Sequence, residues 1–83
     1  MRGRMDMNEI PITVKLFATL REGRFDIRSM NIAAGATVAD VVRMLEIPEK
    51  EVSLILVNHR HHDPDHVLNA GETLALFPPV GGG

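Results

Sequence analysis

The segment IPITVKLFA, residues 10–18, decides the fold because its apolar residues recur at every second position. A period of two is typical of a β-strand that buries one face. The residues on that face are Ile10, Ile12, Val14, Leu16 and Ala18. The other face carries Thr13, Lys15 and Phe17. This pattern predicts a first strand with one buried side and one open side.

A second strand is expected over about residues 25–32, after a turn in which Gly23 adopts a positive φ. Its apolar residues change phase halfway along the segment. Phe25 and Ile27 share one phase, whereas Met30 and Ile32 share the other. One extra residue near Ser29, a β-bulge, would reconcile the two phases. The sequence therefore predicts a β-hairpin whose second strand is bulged.

A helix is expected to begin at Thr37, because Thr37 and Asp40 have the spacing of a capping box. Their side chains can satisfy backbone N–H groups that lack a partner at the start of a helix. An apolar stripe follows at helical spacing, and Pro48 is expected to end the helix. The stripe consists of Val38, Val41, Val42 and Leu45.

Two more strands are expected, at residues 54–57 and 73–77. The run LILV at 54–57 is apolar in both phases, so this strand needs cover on both faces. A hairpin, one helix and further strands predict an α+β fold, with one main helix across a mixed sheet of four to five strands. Residues 1–9 are expected to form a disordered lead-in, residues 10–79 the domain, and residues 80–83 a flexible tail.

Composition excludes several classes of function. The chain of 83 residues is 45% hydrophobic, which suits one small core. It has no cysteine, which excludes disulfides, thiolate metal sites and thiol nucleophiles. A net charge of -2 gives no nucleic-acid footprint. No apolar run has the length of a membrane span, so a cytoplasmic protein is expected.

The sequence FPPVGGG, residues 77–83, predicts a strand that ends in an extended and loose tail. Pro78 and Pro79 lack an amide donor, and three glycines cannot form a packed element. From Pro78 to Gly83 the tail can reach about 20 Å at about 3.3 Å per residue, enough to enter a narrow tunnel in another protein. A linker left by cloning is the alternative interpretation.

These features resemble a known family. The order of elements is similar to the ubiquitin β-grasp fold, and residues 74–83 closely resemble the end of the small subunit of molybdopterin synthase, MoaD. The segments KLFATLRE at 15–22 and TVADV at 37–41 resemble the first strand and the helix start of that family. The thiamin sulfur carrier ThiS shares the fold and the terminal glycines.

The resemblance implies a sulfur carrier that is not itself an enzyme and has no catalytic residue or bound cofactor. A ubiquitin-activating-like enzyme would use ATP to adenylate the carboxylate of Gly83, and a sulfur donor would convert it to a thiocarboxylate. Gly81 and Gly82 would give access to that carbonyl, and residues 78–80 (Pro78, Pro79 and Val80) would guide the tail. The acceptor would be the large subunit of molybdopterin synthase, in molybdenum or tungsten cofactor biosynthesis. The free carrier is expected to be a monomer.

Three other functions stay open: a carrier for thiamin or another pathway, a ubiquitin-like protein modifier, and a metal-binding module. The last depends on four histidines in residues 59–66. On a strand His59 and His61 would share a face and, with His66 or Asp63, could bind zinc or nickel. The pattern favours a solvated polar strand end over a metal site.

Phe17 and Phe77 are each out of phase with the apolar set of their own strand. In a β-grasp sheet these two strands run parallel as neighbours. Both rings should therefore stand near the tail, on the face away from the helix. We interpret them as a partner interface and not as core residues.

Overall fold

The computed structural model describes residues 8–80, and its centre is a parallel pair of strands. Strand β1 (Glu9–Leu16) lies beside β5 (Thr73–Phe77), with a register from Thr13↔Thr73 to Leu16↔Leu76. Strands β2 (Ile27–Ala33), β3 (Leu54–Val57) and β4 (Arg60–His61) complete a sheet in the order β2-β1-β5-β3-β4. The other pairings are antiparallel.

One helix, α1 (Val38–Met44), covers one face of this sheet, so the prediction of a mixed β-grasp sheet is confirmed. Short 3-10 turns at Ala18–Arg21 and Glu49–Glu51 complete the elements. Each strand turns alternate residues toward α1, as its period of two requires. The core that results is entirely aliphatic: Ile12, Val14, Leu16, Leu20, Ile32, Val38, Val41, Val42, Ile47, Ile55, Val57, Leu68, Leu74 and Leu76. No helix in the described range is long and apolar enough to cross a bilayer.

The predicted boundaries of β1 need small corrections. The strand begins at Glu9, so the expected lead-in is one residue too long, and residues 1–7 lie outside the described range. It ends at Leu16 and not at Ala18, because Ala18 has a φ of 54° and opens the 3-10 turn. Gly23 has a φ of 72°, as predicted.

The predicted bulge in β2 is wrong. The register runs without interruption from Lys15↔Ile27 to Glu9↔Ala33. The apparent change of phase arises because Phe25 precedes the strand and packs against the core from the loop. Ile27 begins the strand with 62% of its surface exposed. Of the four apolar residues Phe25, Ile27, Met30 and Ile32, only the last two therefore lie on the strand face that α1 covers.

The capping box of α1 is confirmed. The Thr37 hydroxyl accepts a hydrogen bond from the Asp40 amide at 3.1 Å, and the Asp40 carboxylate accepts one from the Thr37 amide at 2.9 Å. The helix ends before the expected Pro48, since Glu46 already has a left-handed φ of 59°. The carbonyls of Pro64 and His66 accept hydrogen bonds from the amides of the first helical turn, which attaches the loop before β5 to the helix.

The capping box lowers the pKa of Asp40. The main cause is the hydrogen bond from the Thr37 backbone, followed by the Thr37 side chain and Arg43. A lowered pKa means that ionised Asp40 stabilises the folded chain at pH values above its ordinary pKa of 3.8. That contribution is lost as the pH falls through the lower pKa of the folded state.

Thr37→Ala should lower the free energy of unfolding by about 1 kcal/mol, because it leaves the Asp40 amide without its capping acceptor. Thr37→Ser keeps an acceptor at the same place and should stay close to the parent. Urea denaturation at neutral pH measures both variants. Equal losses in the two would show that the lost methyl group, and not the hydroxyl, is responsible.

Candidate functional site

The chain leaves the sheet directly after β5. Leu74 and Leu76 are fully buried and fix the strand in the core. The Phe77 carbonyl accepts the last ladder hydrogen bond, from the Ser53 amide at 2.8 Å. Pro78 and Pro79 follow with no amide to donate. The strand therefore cannot continue its ladder through these two positions, and the tail begins where the sheet ends.

Val80 is 95% exposed, so the last described residue makes almost no contact with the domain. Pro78 is half-buried and Pro79 is exposed. The predicted sulfur-bearing Gly83 and the access residues Gly81 and Gly82 lie outside the described residues. Pro78, Pro79 and Val80 follow directly after a central strand, and their role as a guide for the tail stays a prediction.

Phe17 and Phe77 meet at the base of the tail. Their ring centroids are 4.2 Å apart and the ring planes differ by 11°, so the two side chains stack. Parallel pairing brings the ends of β1 and β5 together, and the Phe17 amide donates to the Leu76 carbonyl at 3.2 Å. Both rings are half-buried and neither belongs to the buried core. The two rings thus meet where the sequence predicts, whereas the role of the pair as a partner interface stays a prediction.

The aromatic pair belongs to a larger apolar surface on the side of the sheet away from α1. Leu54 pairs with Phe77 and Leu56 pairs with Ala75, so their side chains stand on the same side as the rings. We call this surface the open face; its residues are Phe17, Leu54, Leu56, Ala75 and Phe77. No described element covers it, and Leu54 is 37% exposed. The missing alternation at 54–57 was the sequence signal for its two leucines.

Basic side chains border the open face. Lys15 stands opposite Ala75, and His61 stands opposite Leu56 at the β3–β4 edge. An ion pair of Arg21 and Asp26, at 3.9 Å, lies where the chain turns from β1 to β2. An apolar centre with a charged rim has the composition of a protein interface.

The histidines do not have the predicted geometry. Asn58 and His59 have φ values of 50° and 71° and form the two-residue turn between β3 and β4. Only His61 lies on a strand, so His59 and His61 share no strand face. Within residues 8–80, no three His, Cys, Asp or Glu side chains are placed to hold a metal ion.

A different histidine contact was not predicted. The rings of His62 and His66 pack together with centroids 4.0 Å apart. His66 Nε2 is buried without a hydrogen bond in the described range, and lies 3.6 Å from Glu72 Oε1. That Glu72 oxygen already accepts a hydrogen bond from the Asn69 amide at 2.7 Å. These side chains order the loop before β5, and no local sequence pattern announces a contact of this kind.

His59→Gly should raise the free energy of unfolding by about 0.5–1 kcal/mol. A left-handed residue other than glycine costs about 1–2 kcal/mol, and the greater freedom of glycine in the unfolded chain offsets part of the gain. Asn58→Gly is the matched control. The Asn58 side chain accepts a hydrogen bond from the Thr73 amide at 2.9 Å, and this hydrogen bond would be lost in the variant. Asn58→Gly should therefore destabilise the protein. Thermal and urea unfolding of both variants measure the contrast, and no gain in stability from His59→Gly would argue against strain at His59.

The comparisons with known proteins agree with this geometry. No curated protein matches. The solved HVO 2177 protein of Haloferax volcanii is 30% identical with a TM-score of 0.76, covering 98% of this chain and 93% of that chain. SAMP1 of Haloferax volcanii, a small archaeal modifier protein, is 28% identical with a TM-score of 0.68, covering 88% and 99%.

A chain from the complex of subunits 1 and 2 of the molybdopterin-converting factor of Helicobacter pylori 26695 is also similar. It is 26% identical with a TM-score of 0.55, and the match covers 89% of this chain and 100% of that chain. The sequence matches the ThiS family from residue 14 to residue 83, which includes the last three residues of β1 and the whole tail. The chain therefore belongs to the ThiS family.

Proposed function

We propose that this protein carries sulfur as a thiocarboxylate on Gly83 and delivers it for molybdopterin synthesis in the cytoplasm. The observation that supports this most directly is the end of β5. The strand releases the chain at Pro78, beside a stacked and half-exposed aromatic pair. A tail that leaves the sheet at an apolar surface can enter a partner while the surface holds that partner.

The chemistry suits a chain without cysteine. A terminal carboxylate has a pKa of about 3.3–3.7, so it is ionised near neutral pH and is a poor electrophile. In the proposed reaction its oxygen attacks the α-phosphate of ATP on the activating enzyme and releases pyrophosphate. Sulfur from a donor then replaces AMP at the carbonyl carbon. Glycine leaves this carbon unhindered, and apart from the terminal carboxylate itself the proposed reaction uses no acid, base or nucleophile of this chain.

Two partners follow from this proposal: a ubiquitin-activating-like enzyme and an acceptor that takes the sulfur. The similar chain of the molybdopterin-converting factor is seen in a complex of subunits 1 and 2, which favours a large subunit as the acceptor. We propose that both partners dock in turn on the open face, since it adjoins the tail. The free carrier is proposed to be a monomer.

A ubiquitin-like modifier is the second candidate, because SAMP1 has a similar fold. Both functions begin with adenylation of the terminal glycine, so the first product cannot separate them. The final product can. A carrier ends as a free carboxylate after sulfur transfer, whereas a modifier ends in an isopeptide bond to a lysine of its target.

Incubation with an activating enzyme, ATP and a sulfur source should add the mass of one oxygen-to-sulfur exchange at Gly83. Deletion of Gly83 should abolish this mass change and leave the Tm almost unchanged, because glycine has no side chain to bury. Intact-mass spectrometry and thermal unfolding give the two readouts. An unaltered sulfur yield from the deletion variant would contradict the proposal.

Phe17→Ala and Phe77→Ala should weaken binding to either partner by roughly 2 kcal/mol, about thirtyfold in Kd, since exposed aromatic anchors dominate interfaces. Each should cost only about 1 kcal/mol of folding stability, mostly from the lost stacking.

Two control variants separate the effect on binding from the effect on stability. Phe25→Ala should destabilise more, because Phe25 packs against the core, and still bind. Val67→Ala removes an exposed aliphatic group elsewhere and should change neither. Calorimetric titration measures binding of each variant, and urea unfolding measures its stability. Similar Kd values for the parent, Phe17→Ala and Phe77→Ala would show that the open face is not part of the interface.

A further inference from the structure

Strand β2 forms one edge of the sheet, and its outer side pairs with no other strand within residues 8–80. Natural edge strands are usually protected by a bulge, a proline, a short length or charged side chains, and β2 carries one charged residue, Arg28. The seven residues of β2 include no proline, and the register with β1 is unbroken. The absence of the predicted bulge thus leaves a straight edge that can accept another strand.

The register shows which backbone groups are available at this edge. Leu16 donates to the Asp26 carbonyl at 2.9 Å, and Ala34 donates to the Asn8 carbonyl at 2.8 Å, at the two ends of the pair. Hydrogen-bonded pairs recur at every second residue of an antiparallel ladder, so the even-numbered residues from 26 to 34 face β1. The residues between them direct their N–H and C=O groups outward. The outward groups of the strand centre belong to Ile27, Ser29 and Asn31.

A groove runs beside this edge, between the start of β2 and the end of α1. Phe25 and Leu45 form its floor, since both are partly buried against the core. Met44 forms its wall and is 53% exposed. Alternate side chains of a strand added to β2 would point to the α1 side of the sheet, into this groove. The remaining side chains would pack beside the exposed Ile27.

The groove also carries positive charge that the domain does not neutralise. Among the described residues, the Arg24 guanidinium donates only to backbone carbonyls, those of Leu20 at 3.1 Å and Glu46 at 3.3 Å. The Arg28 guanidinium lies 4.3 Å above the Phe25 ring. Neither forms an ion pair with a carboxylate in the described part of the chain. The lining therefore holds two guanidinium groups against the single carboxylate of Glu46.

We propose that the β2 edge is a second docking site, which binds an extended, acidic segment of a partner protein as an additional strand. Backbone hydrogen bonds to the outward groups would supply affinity without regard to side chains. Selectivity would come from β-branched apolar residues, which favour a strand and fill the groove, and from flanking Asp or Glu beside Arg24 and Arg28. The site uses neither the tail nor the aromatic pair.

The test uses the full chain, labelled with 15N, and a blocked peptide with a short run of valine and isoleucine between aspartates. Binding should shift the amide resonances of β2 and the end of α1. Amide exchange should slow at Ile27, Ser29 and Asn31. It should stay unchanged at Arg28 and Met30, whose amides are already bonded to β1. This alternating protection distinguishes an added strand from any contact through side chains alone.

Two variants test the two parts of the recognition. Ser29→Pro removes an outward amide and keeps the hydrogen bonds to β1, because proline is tolerated on the free side of an edge strand. Ser29→Pro should weaken binding of the peptide at least about tenfold. Arg28→Glu should weaken it by a similar factor, because the new carboxylate repels the acidic residues that flank the peptide. Arg60→Glu makes the same charge change at the opposite edge, on β4, and should bind like the parent.

Four results would overturn the proposal: no binding of the acidic peptide, equal binding of a version flanked by lysines, resonance shifts centred on Phe17 and Phe77, or dimers formed through β2 in the absence of peptide. Circular dichroism of Ser29→Pro checks that this variant is folded. If it is not, the exchange pattern of the parent and the pair of charge variants still decide the question.

Discussion

The parallel pairing of β1 with β5 is the constraint on which the rest of the structure depends. Parallel neighbours cannot be joined by a tight turn, so the chain between them must cross over and return. The crossover contains β2, α1, β3 and β4, and α1 packs on one face of the sheet. The cost of ordering so long a loop is met by burial, with Val14, Leu74 and Leu76 fully excluded from solvent.

The pairing of β1 with β5 also gives the sheet two faces with different roles. Side chains of one parity lie under α1 and hold the aliphatic core together. Side chains of the other parity form the open face, where Phe17 and Phe77 meet because parallel strands end together. Burial of the first set supplies the free energy of folding. The second set contributes little to it, and is therefore available for contacts with another protein.

Structural features that depend on interactions between residues close in the sequence could be predicted. Strand β5 has the predicted limits because its alternation stops at Pro78. Helix α1 is capped by the predicted Thr37, because a capping box needs only residues three apart. Phe17 and Phe77 could be placed together only through the resemblance to a β-grasp sheet. No local pattern states which two strands are neighbours.

The failures share a physical cause, which is that tertiary contacts decided the outcome. Phe25 was assigned to a strand by its phase, whereas the core holds it in a loop with Arg28 over its ring. Strand β4 was missed because His59 occupies a position in the Asn58 turn where glycine would have signalled a hairpin. The contact of His62 with His66 depends on the loop packing against the start of α1, which no short motif encodes.

The place where β5 ends would allow a small domain to take part in the proposed chemistry without a reactive side chain. The last hydrogen bond of β5 is made by the Phe77 carbonyl, so Pro78, Pro79 and Val80 add nothing to the ladder that stabilises the fold. In the proposed carrier, adenylation and sulfur transfer take place at Gly83, which follows the last ladder hydrogen bond of β5 by six residues in sequence. Recognition must then come from the fixed surfaces behind the tail. For this reason the open face, and not the terminus, is where two carriers with the same glycines would differ in the partners they accept.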